Sequence, residues 1–301
     1  MQSISRVVEV ANPASLSMKD LALRVERDGV EVARVPLEDL GILLLDGHGI
    51  VLTNTLLAGL ALNNVALAVS GPNHIPAGLM LPIEGNSVHA RILRDQIALK
   101  PMKKGELWRA VVIGKLKNQA AVLKKITGSD RKIRALMPFV RRGDPDNIEA
   151  RAAQRYFLTL FDDDFVRVRH GPGLNSMLDY GYAVVRAAVA RSVVMAGMHP
   201  ALGIHHRNQY NAFALADDLM EPLRPVVDEI VYLYVQENGE PEELTPPVKR
   251  HLLRCLTTRV MWSNRKYPIL TAIGHYVTAF RECMQGKRSE LKCPGWMSLE
   301  A

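Results

Sequence analysis

This sequence lacks the features that mark membrane, secreted and disulfide-stabilised proteins. No apolar run approaches the roughly 18 residues of a membrane span, because Asp46, His48 and three asparagines interrupt the most apolar region, 41–70. The segment MQSISRVVEV has no charged stretch followed by an apolar one, so we expect no secretory signal. The three cysteines have neither CxxC nor zinc-binding spacing. We therefore expect a cytoplasmic protein with reduced thiols.

Motifs of several common enzyme classes are absent as well. The chain has no GxxxxGK[ST] phosphate loop, no GxGxxG after a strand, no HExxH and no GxSxG. These absences argue against nucleotide hydrolysis, nicotinamide chemistry, zincin proteolysis and the α/β-hydrolase reaction. A length of 301 residues with 48% hydrophobic residues nevertheless allows two domains with a sizeable core.

The first 70 residues are predicted to form short strands joined by tight turns. SRVVEV, LALRVE and VEVARV alternate valine with polar residues, as half-buried strands do. The Asp28-Gly29 dipeptide between the last two favours a hairpin. GILLLD is expected to be a strand buried on both faces, TNTLLAGLALNN a short helix and VALAVS a further strand. The Gly- and Pro-rich segment 71–87 is interpreted as a connection between domains.

From about His89 onward, apolar residues recur at helical spacing. We predict helices in 110–126, 147–161, 176–197, 213–235 and 246–262. Pro222 and Pro225 should interrupt the fourth of these. The predicted fold class is α+β with two domains: a small β-rich domain over 1–75, a linker over 76–88, and a larger all-α catalytic and DNA-binding domain over 89–301.

The net charge of +7 is concentrated in one segment. Residues 91–142 contain 15 Lys and Arg against 3 Asp and Glu, whereas 1–90 contain 5 against 9. Such a segment is typical of a phosphate-backbone binder, and a solvated helix face is the alternative. Apart from Trp108, its basic clusters lack the interleaved aromatic rings of a base-stacking platform. The candidate DNA-binding residues are Lys103, Lys104, Lys124, Lys125, Arg131, Lys132, Arg141 and Arg142.

Histidines and carboxylates gather in the stretch 203–230. His205 and His206 follow a Pro- and Gly-containing turn, and Asp218 and Glu221, three residues apart, share one helix face. Neighbouring carboxylates repel each other unless a cation lies between them, and Mg²⁺ and Mn²⁺ prefer carboxylate oxygen. Solvent-facing acids and loop histidines are the alternative that spacing alone leaves open.

Glu149 is a further acidic candidate, in the first turn of the helix predicted over 147–161. We expect Asp146 or Asn147 to cap that helix. Interaction with the helix dipole also explains an acid at this position, so the residue pattern alone assigns Glu149 no role.

The ordered set of sequence blocks resembles the CRISPR-associated spacer integrases, metal-dependent enzymes that insert captured DNA into CRISPR arrays. The blocks are VVEVANPASLSMKDLALRV, VPLEDLGILLLDGHGIVLTNTLLAGLALNNVALAVSG, LPIEGNS, NIEARAAQRYF, LNSMLDYGYAVVRAAVARSVVMAGMHPALGIHH and FALADDLMEPLRPVVDEIV. Together they cover nearly the whole chain. LPIEGNS and the paired histidine in GIHH are most similar to the type II branch.

The resemblance implies a metal-dependent DNA endonuclease and integrase of prokaryotic antiviral defence. In this reaction a 3′-hydroxyl attacks a phosphodiester of the CRISPR repeat. The implied catalytic residues and metal ligands are Glu149, His206 and Glu221, with Asp218 and His205 as alternatives, and the implied cofactor is Mg²⁺ or Mn²⁺. Many relatives have Gly where this chain has Ala150.

The resemblance also implies partners. We expect a homodimer joined through the β-rich domain and a small second CRISPR adaptation subunit that completes a heterohexamer. Double-stranded DNA is expected as donor fragment and repeat, and the type II effector nuclease as a further contact, with no membrane involved. Two other functions are kept as alternatives: a stand-alone structure-selective DNA nuclease and a non-catalytic nucleic-acid-binding scaffold.

Overall fold

The chain forms two β-sheets followed by a mainly helical region. The computed structural model describes residues 6–71, 76–82, 85–162 and 164–296. The N-terminal elements are β1 (Arg6–Val10), β2 (Ala14–Lys19), β3 (Ala22–Arg27), β4 (Val30–Pro36), β5 (Leu40–Leu45), β6 (Ile50–Leu52), α1 (Asn54–Leu62), β7 (Ala66–Ser70) and β8 (Pro76–Met80). One sheet has the order β1-β5-β7-β8 and the other β4-β3-β2-β6.

The local predictions for this part are confirmed where turn and cap chemistry act over a few residues. β3 and β4 pair antiparallel around Asp28 and Gly29, both of which have positive φ, as a tight hairpin requires. The Thr53 side chain accepts a hydrogen bond from the Leu56 backbone and caps α1. The predicted strands SRVVEV, LALRVE, VEVARV, GILLLD and VALAVS correspond to β1, β3, β4, β5 and β7.

Strand β5 is buried on both faces, as its continuous apolar sequence predicts. Leu43 and Leu45 lie in a core shared with β2, β3 and α1. Ile42 and Leu44 point the other way and belong to the core of the helical region. Because successive side chains of a strand alternate between its faces, this one strand contributes to both cores.

The linker prediction over 76–88 is wrong in its first part. Residues 76–80 form β8, which pairs antiparallel with β7 at the sheet edge. Gly and Pro in this segment indicated a loop, but an edge strand tolerates proline because one side of its backbone has no partner strand. Residues 83 and 84 of the linker, and residues 1–5 and 72–75 of the predicted β-rich domain, lie outside the described part.

The second region consists mainly of helices. They are α2 (His89–Ile97), α3 (Pro101–Thr127), α4 (Arg131–Arg134), α5 (Ile148–Leu160), α6 (Leu174–Met195), α7 (Ala214–Met220), α8 (Arg224–Asn238), α9 (Pro246–Leu252) and α10 (Ile269–Met284). Helix α6 lies at the centre, with 14 buried residues, and packs against α7, α8 and α10. Within the described ranges, none of these helices is long and apolar enough to span a bilayer.

The predicted α+β fold class is confirmed, with one addition inside the helical region. The helix predicted over 246–262 ends earlier: α9 passes into a 3₁₀ turn over Leu253–Leu256. Arg259–Trp262 is then β9, paired antiparallel with β10 (Arg265–Pro268). The turn at Ser263 and Asn264, both with positive φ, closes this hairpin. Cys255, Cys283 and Cys293 are free thiols.

Candidate metal centre and nucleic-acid surface

Glu221 is placed by the break between α7 and α8. Residues Glu221–Leu223 form a 3₁₀ turn, because Pro222 and Pro225 have no backbone N–H to continue an α-helix. This confirms the interruption predicted at these prolines. The Asn118 side chain donates to the Pro222 carbonyl at 2.7 Å and so ties the turn to α3. Glu221 is 5% exposed and lies against α3.

Glu149 is placed by the start of α5. The Asp144 carboxylate accepts hydrogen bonds from the backbone N–H groups of Ile148 at 3.0 Å and Glu149 at 2.8 Å. Asp144 is therefore the side chain that satisfies the helix N-terminus. Of the two predicted caps, Asn147 does occupy the N-cap position, but its side chain makes no capping bond, and Asp146 pairs with Arg141 instead.

Lys115 bridges the two glutamates. Its ammonium donates to Glu149 Oε1 and, at 2.5 Å, to Glu221 Oε2. Arg224 Nε donates to the other oxygen of Glu221 at 2.7 Å. Burial acts to raise the pKa of Glu221, but Arg224 and Lys115 outweigh it and hold the pKa at about 2. Burial likewise acts to lower the pKa of Lys115, and the two glutamates outweigh it and raise that pKa.

The Asp218 carboxylate organises the histidine loop. It is fully buried and accepts hydrogen bonds from the backbone N–H groups of Ile204, His205 and His206 at 2.7, 3.0 and 3.1 Å. Gly203 permits this close approach, because a Cβ atom there would lie 2.8 Å from Asp218 Oδ2. Asp218 and Glu221, which share a helix face in the sequence prediction, thus contact different partners.

The two histidines have different environments. His206 Nδ1 lies 2.6 Å from Asp218 Oδ1, and this hydrogen bond raises the pKa of His206. Held at Nδ1, the imidazole has its Nε2 left for another ligand. His205 stacks on Trp108 with ring centroids 4.0 Å apart and an interplanar angle of 3°. Burial lowers the pKa of His205.

The donor atoms of Glu149, His206 and Glu221 suit a hard divalent cation. Two of them converge on a single cationic group, the Lys115 ammonium, and the charge of Glu221 acts on His206. Across the described ranges, however, no three His, Cys, Asp or Glu side chains lie close enough together to enclose an ion. The residues therefore fit a metal in the kind of donor atom they supply, and Lys115 lies at the point where the two carboxylates meet.

The predicted DNA-binding residues differ in exposure and in ion pairing. Lys125 binds the buried Glu229 at 2.8 Å, Arg141 pairs with Asp146, and Lys103 contacts Glu106 at 3.3 Å. Lys104 is half-buried. Lys124, Lys125, Arg131, Lys132, Arg141 and Arg142 are all exposed. Apart from Lys125, whose ammonium binds a buried carboxylate, these residues form one set. This set is called the basic surface below.

Sequence reasoning missed several residues and misjudged two aromatic rings. Trp108 is 3% exposed and is not available for base stacking, whereas Phe139, beside Arg141 and Arg142, is 62% exposed. Lys115 and Arg224 were overlooked as partners of the acids. For Lys115 a signal existed: it lies four residues after Val111 and next to Leu116, on the buried face of α3, where a lysine needs a counter-charge.

Comparison with known proteins gives a consistent result. Residues 8–243 match the family described as CRISPR associated protein Cas1. A CRISPR-associated endonuclease Cas1 from Neisseria meningitidis serogroup C is 35% identical over 300 residues, covering 98% of this chain and 97% of the relative. A Cas1 endonuclease from Thermus thermophilus is 28% identical and covers 77% of this chain and 74% of its own length.

Solved structures with similar folds agree. A casposase bound to integration product superposes with a TM-score of 0.80 at 18% identity, over 95% of this chain and 92% of that one. A Cas1 protein from Thermotoga maritima superposes with a TM-score of 0.78 at 16% identity, over 93% and 97% of the two chains. The family match and the relative of 35% identity confirm the family that the sequence blocks resemble: this chain belongs to the Cas1 family of CRISPR-associated proteins.

Proposed function

We propose that this protein is a divalent-metal-dependent DNA endonuclease and integrase that inserts DNA fragments into a CRISPR array. The observation that carries the proposal is the convergence of Glu149 and Glu221 on one cationic group beside the His206 loop. We assign Glu149, His206 and Glu221 as the ligands of Mg²⁺ or Mn²⁺. Asp218 is assigned the role of positioning His206, and His205 the role of packing against Trp108.

The proposed reaction exchanges one phosphodiester for another. A 3′-hydroxyl of the donor fragment attacks a phosphorus atom of the repeat and loses its proton. The P–O3′ bond of the repeat breaks, and the displaced repeat strand ends in a free 3′-hydroxyl. A bound divalent cation supplies charge stabilisation for the phosphate and its leaving oxygen. The protein's own residues hold the centre together. Arg224 Nε donates to Glu221 Oε1 at 2.7 Å and so orients this carboxylate, and Asp218 fixes the His206 ring at Nδ1. With water in place of the hydroxyl, the same arrangement cuts DNA.

DNA binding is assigned to the basic surface. Arg141 and Arg142 lie just before Asp144, which caps the helix that carries Glu149. Charges in these positions lead a phosphate backbone toward the candidate metal centre. Of the residues predicted from sequence, Lys103 and Lys104 are kept as peripheral contacts, and Lys125 is reassigned to structural pairing with Glu229.

Assembly with a second adaptation subunit is part of the proposal. A solved Cas6-RT-Cas1--Cas2 complex superposes with a TM-score of 0.77 at 15% identity, over 100% of this chain and 37% of that one. By analogy we propose a cytoplasmic homodimer, joined through the β-rich domain, that forms a heterohexamer with a Cas2-like subunit. The division into a β-rich domain over 1–75 and a catalytic domain over 89–301 belongs to the same proposal, as does contact with a type II effector nuclease.

The test is a strand-joining assay with a 3′-hydroxyl donor, a repeat-containing plasmid and the second adaptation subunit. Glu149→Gln and Glu221→Gln should each reduce joining and Mn²⁺-dependent cleavage to background. Glu237→Gln, an exposed acid on α8, is the matched control and should behave as wild type. Joining by a folded Glu149→Gln or Glu221→Gln protein at the wild-type rate would refute the metal assignment.

The same assay separates the two alternative functions. Cleavage without joining, even with the second subunit present, would favour a stand-alone structure-selective nuclease. DNA binding without Mn²⁺-dependent cleavage or joining would favour a non-catalytic scaffold.

A further inference from the structure

The candidate metal centre already contains its own cation. The Lys115 side chain is 7% exposed, and its ammonium contacts both Glu149 and Glu221. Arg224 adds a second positive charge on the far side of Glu221. These two cations balance the two glutamates, so this group of four side chains carries no net charge.

The Asp218 carboxylate does not change that balance much. Asp218 is fully buried and its two oxygens accept three backbone N–H groups, with His206 Nδ1 at 2.6 Å. Hydrogen bonds of this kind disperse the carboxylate charge within the loop. A divalent cation that enters between Glu149 and Glu221 therefore meets Lys115, not an unbalanced pair of acids.

A second positive ion cannot share these oxygens with a buried ammonium at low cost. Like charges a few ångströms apart repel strongly where little water screens them. Lys115 must therefore release at least one glutamate when a metal binds. The released ammonium is then a buried charge that needs a new anionic partner, and the anion that this enzyme handles is a DNA phosphate.

We propose that Lys115 is a positioning residue that holds Glu149 and Glu221 in place of the metal, and that a divalent cation binds tightly only when a DNA phosphate receives the displaced ammonium. Metal binding and DNA binding are then coupled, and each strengthens the other to the same degree. This inference rests on the proposed function and adds its regulation: the centre binds its metal tightly only when DNA is bound.

The experiment measures Mn²⁺ affinity from the free-Mn²⁺ electron paramagnetic resonance signal, for protein alone and with a short duplex. Lys115→Met and Lys115→Gln should bind Mn²⁺ in the absence of DNA about tenfold more tightly than wild type, and the duplex should strengthen their binding less. Lys117→Met, an exposed lysine on the same helix, is the matched control and should show the weak, DNA-dependent binding of wild type.

Melting curves provide a readout that needs no activity. In EDTA the Lys115 variants should melt below wild type, because their two glutamates lack the bridging cation. Mn²⁺ alone should then raise their Tm by more than it raises that of wild type. If Lys115→Met does not fold in EDTA, a cooperative unfolding transition that appears only in Mn²⁺ shows the same stabilisation by the metal. The Mn²⁺ affinity is then measured with Lys115→Gln.

Two outcomes overturn the inference, and they are distinguishable from failure of the proposed function. If wild type binds Mn²⁺ tightly without DNA through Glu149 and Glu221, or if the Lys115 variants bind no more tightly than wild type, the inference is wrong while the metal site stands. If Mn²⁺ is bound by no variant, with or without DNA, or equally well by Glu149→Gln and Glu221→Gln, the metal site itself is wrong.

Discussion

Asp218 and Glu221 show how two acids on one helix face acquire different roles. Both are buried, yet Asp218 contacts the backbone of the histidine loop, whereas Glu221 contacts Lys115 and Arg224. The difference arises because the 3₁₀ turn at Pro222 begins between them and directs Glu221 toward α3. A carboxylate that is fully used by N–H donors is a poor metal ligand and a good positioning residue.

The adjacent histidines should differ sharply in importance. We expect His206→Ala to reduce Mn²⁺-dependent DNA cleavage to background, because its Nδ1 is fixed by Asp218 and its Nε2 is left to bind a metal. His205→Ala should retain most of the activity, since His205 mainly packs on Trp108. Cleavage rates at saturating Mn²⁺ give the ranking. A larger loss in His205→Ala would transfer the ligand role to that residue.

A buried aspartate gives a pH-dependent stability. Burial raises the pKa of Asp228 to about 7, against the lowering effects of the Tyr182 hydroxyl, Lys115 and Arg224. Since the folded pKa lies above the unfolded value, Asp228 is protonated in the folded protein at mildly acidic pH. Its ionisation then lowers the free energy of unfolding as the pH rises from about 4 through about 7.

Asp228→Asn should remove that loss, because an amide stays neutral at every pH. We expect the Tm of the variant relative to wild type to increase between pH 5 and pH 8, as measured by thermal unfolding across this range. Glu242→Gln, an exposed acid, controls for the change of net charge. A difference in Tm that is the same at both ends of the range would contradict the assigned ionisation.

At the scale of elements, α3 connects the candidate metal centre to the basic surface. Its buried face carries Lys115, and three residues later Asn118 binds the carbonyl groups of Pro222 and Pro294 at 2.7 and 2.9 Å. Asn118 also accepts a hydrogen bond from the Trp296 backbone at 2.8 Å. The turn bearing Glu221 and the last described residues of the chain are therefore held to the same helix.

Two neighbouring lysines near the end of α3 differ in their ion pairing. Both are exposed, but Lys125 pairs with the buried Glu229. We expect Lys124→Glu combined with Arg131→Glu and Lys132→Glu to weaken binding of unrelated DNA duplexes equally. The slope of affinity against salt should fall by roughly one unit per lost phosphate contact. Titrations on two duplexes at several salt concentrations measure both effects.

Lys125→Glu is the contrasting variant. It places a second carboxylate beside Glu229 and should lower the Tm, which the triple variant at exposed positions should not do. An unchanged salt slope in the triple variant would show that these residues face solvent only. Loss of binding on one duplex alone would show that this surface reads base sequence.

At the scale of the whole molecule, the β-rich and helical regions share packing. Ile42 and Leu44 of β5 belong to the helical core, and α6 packs on β7 and β8. Asp46, directly after β5, forms an ion pair with Lys249 of α9 at 2.6 Å, and both side chains are at most 3% exposed. The contact between the regions is therefore both apolar and ionic, and it contributes to the stability of each.

Removing one member of this ion pair should destabilise the whole chain. We expect Lys249→Met to lower the free energy of unfolding by about 3–5 kcal/mol, because the Asp46 carboxylate stays buried without its cation. The double variant Asp46→Asn, Lys249→Met should lose less than the sum of the single changes. Urea unfolding measures each value. Lys287→Met, at an exposed position, is the control, and a Lys249→Met protein as stable as this control would refute the assignment.

The sequence by itself determined many of the elements and the family. The Asp28-Gly29 hairpin, the doubly buried β5 and the interruption at Pro222 follow from turn chemistry, apolar runs and missing N–H donors, which act within a few residues of the chain. The ordered sequence blocks predicted the Cas1 family and its enzyme class, and both predictions are confirmed. The local rules failed at β8 and β9, where pairing with another strand outweighed the local composition.

Only the tertiary structure decided which charged groups meet. Lys115 lies 34 residues from Glu149 and 106 residues from Glu221, and no periodicity relates positions so far apart. They come together because α5 and the turn after α7 both pack against α3. The same packing buries Trp108 under His205, and it pairs the predicted DNA-binding residue Lys125, which stays exposed, with the buried Glu229. Burial and charge pairing depend on the neighbours that folding supplies, and these neighbours come from distant parts of the chain.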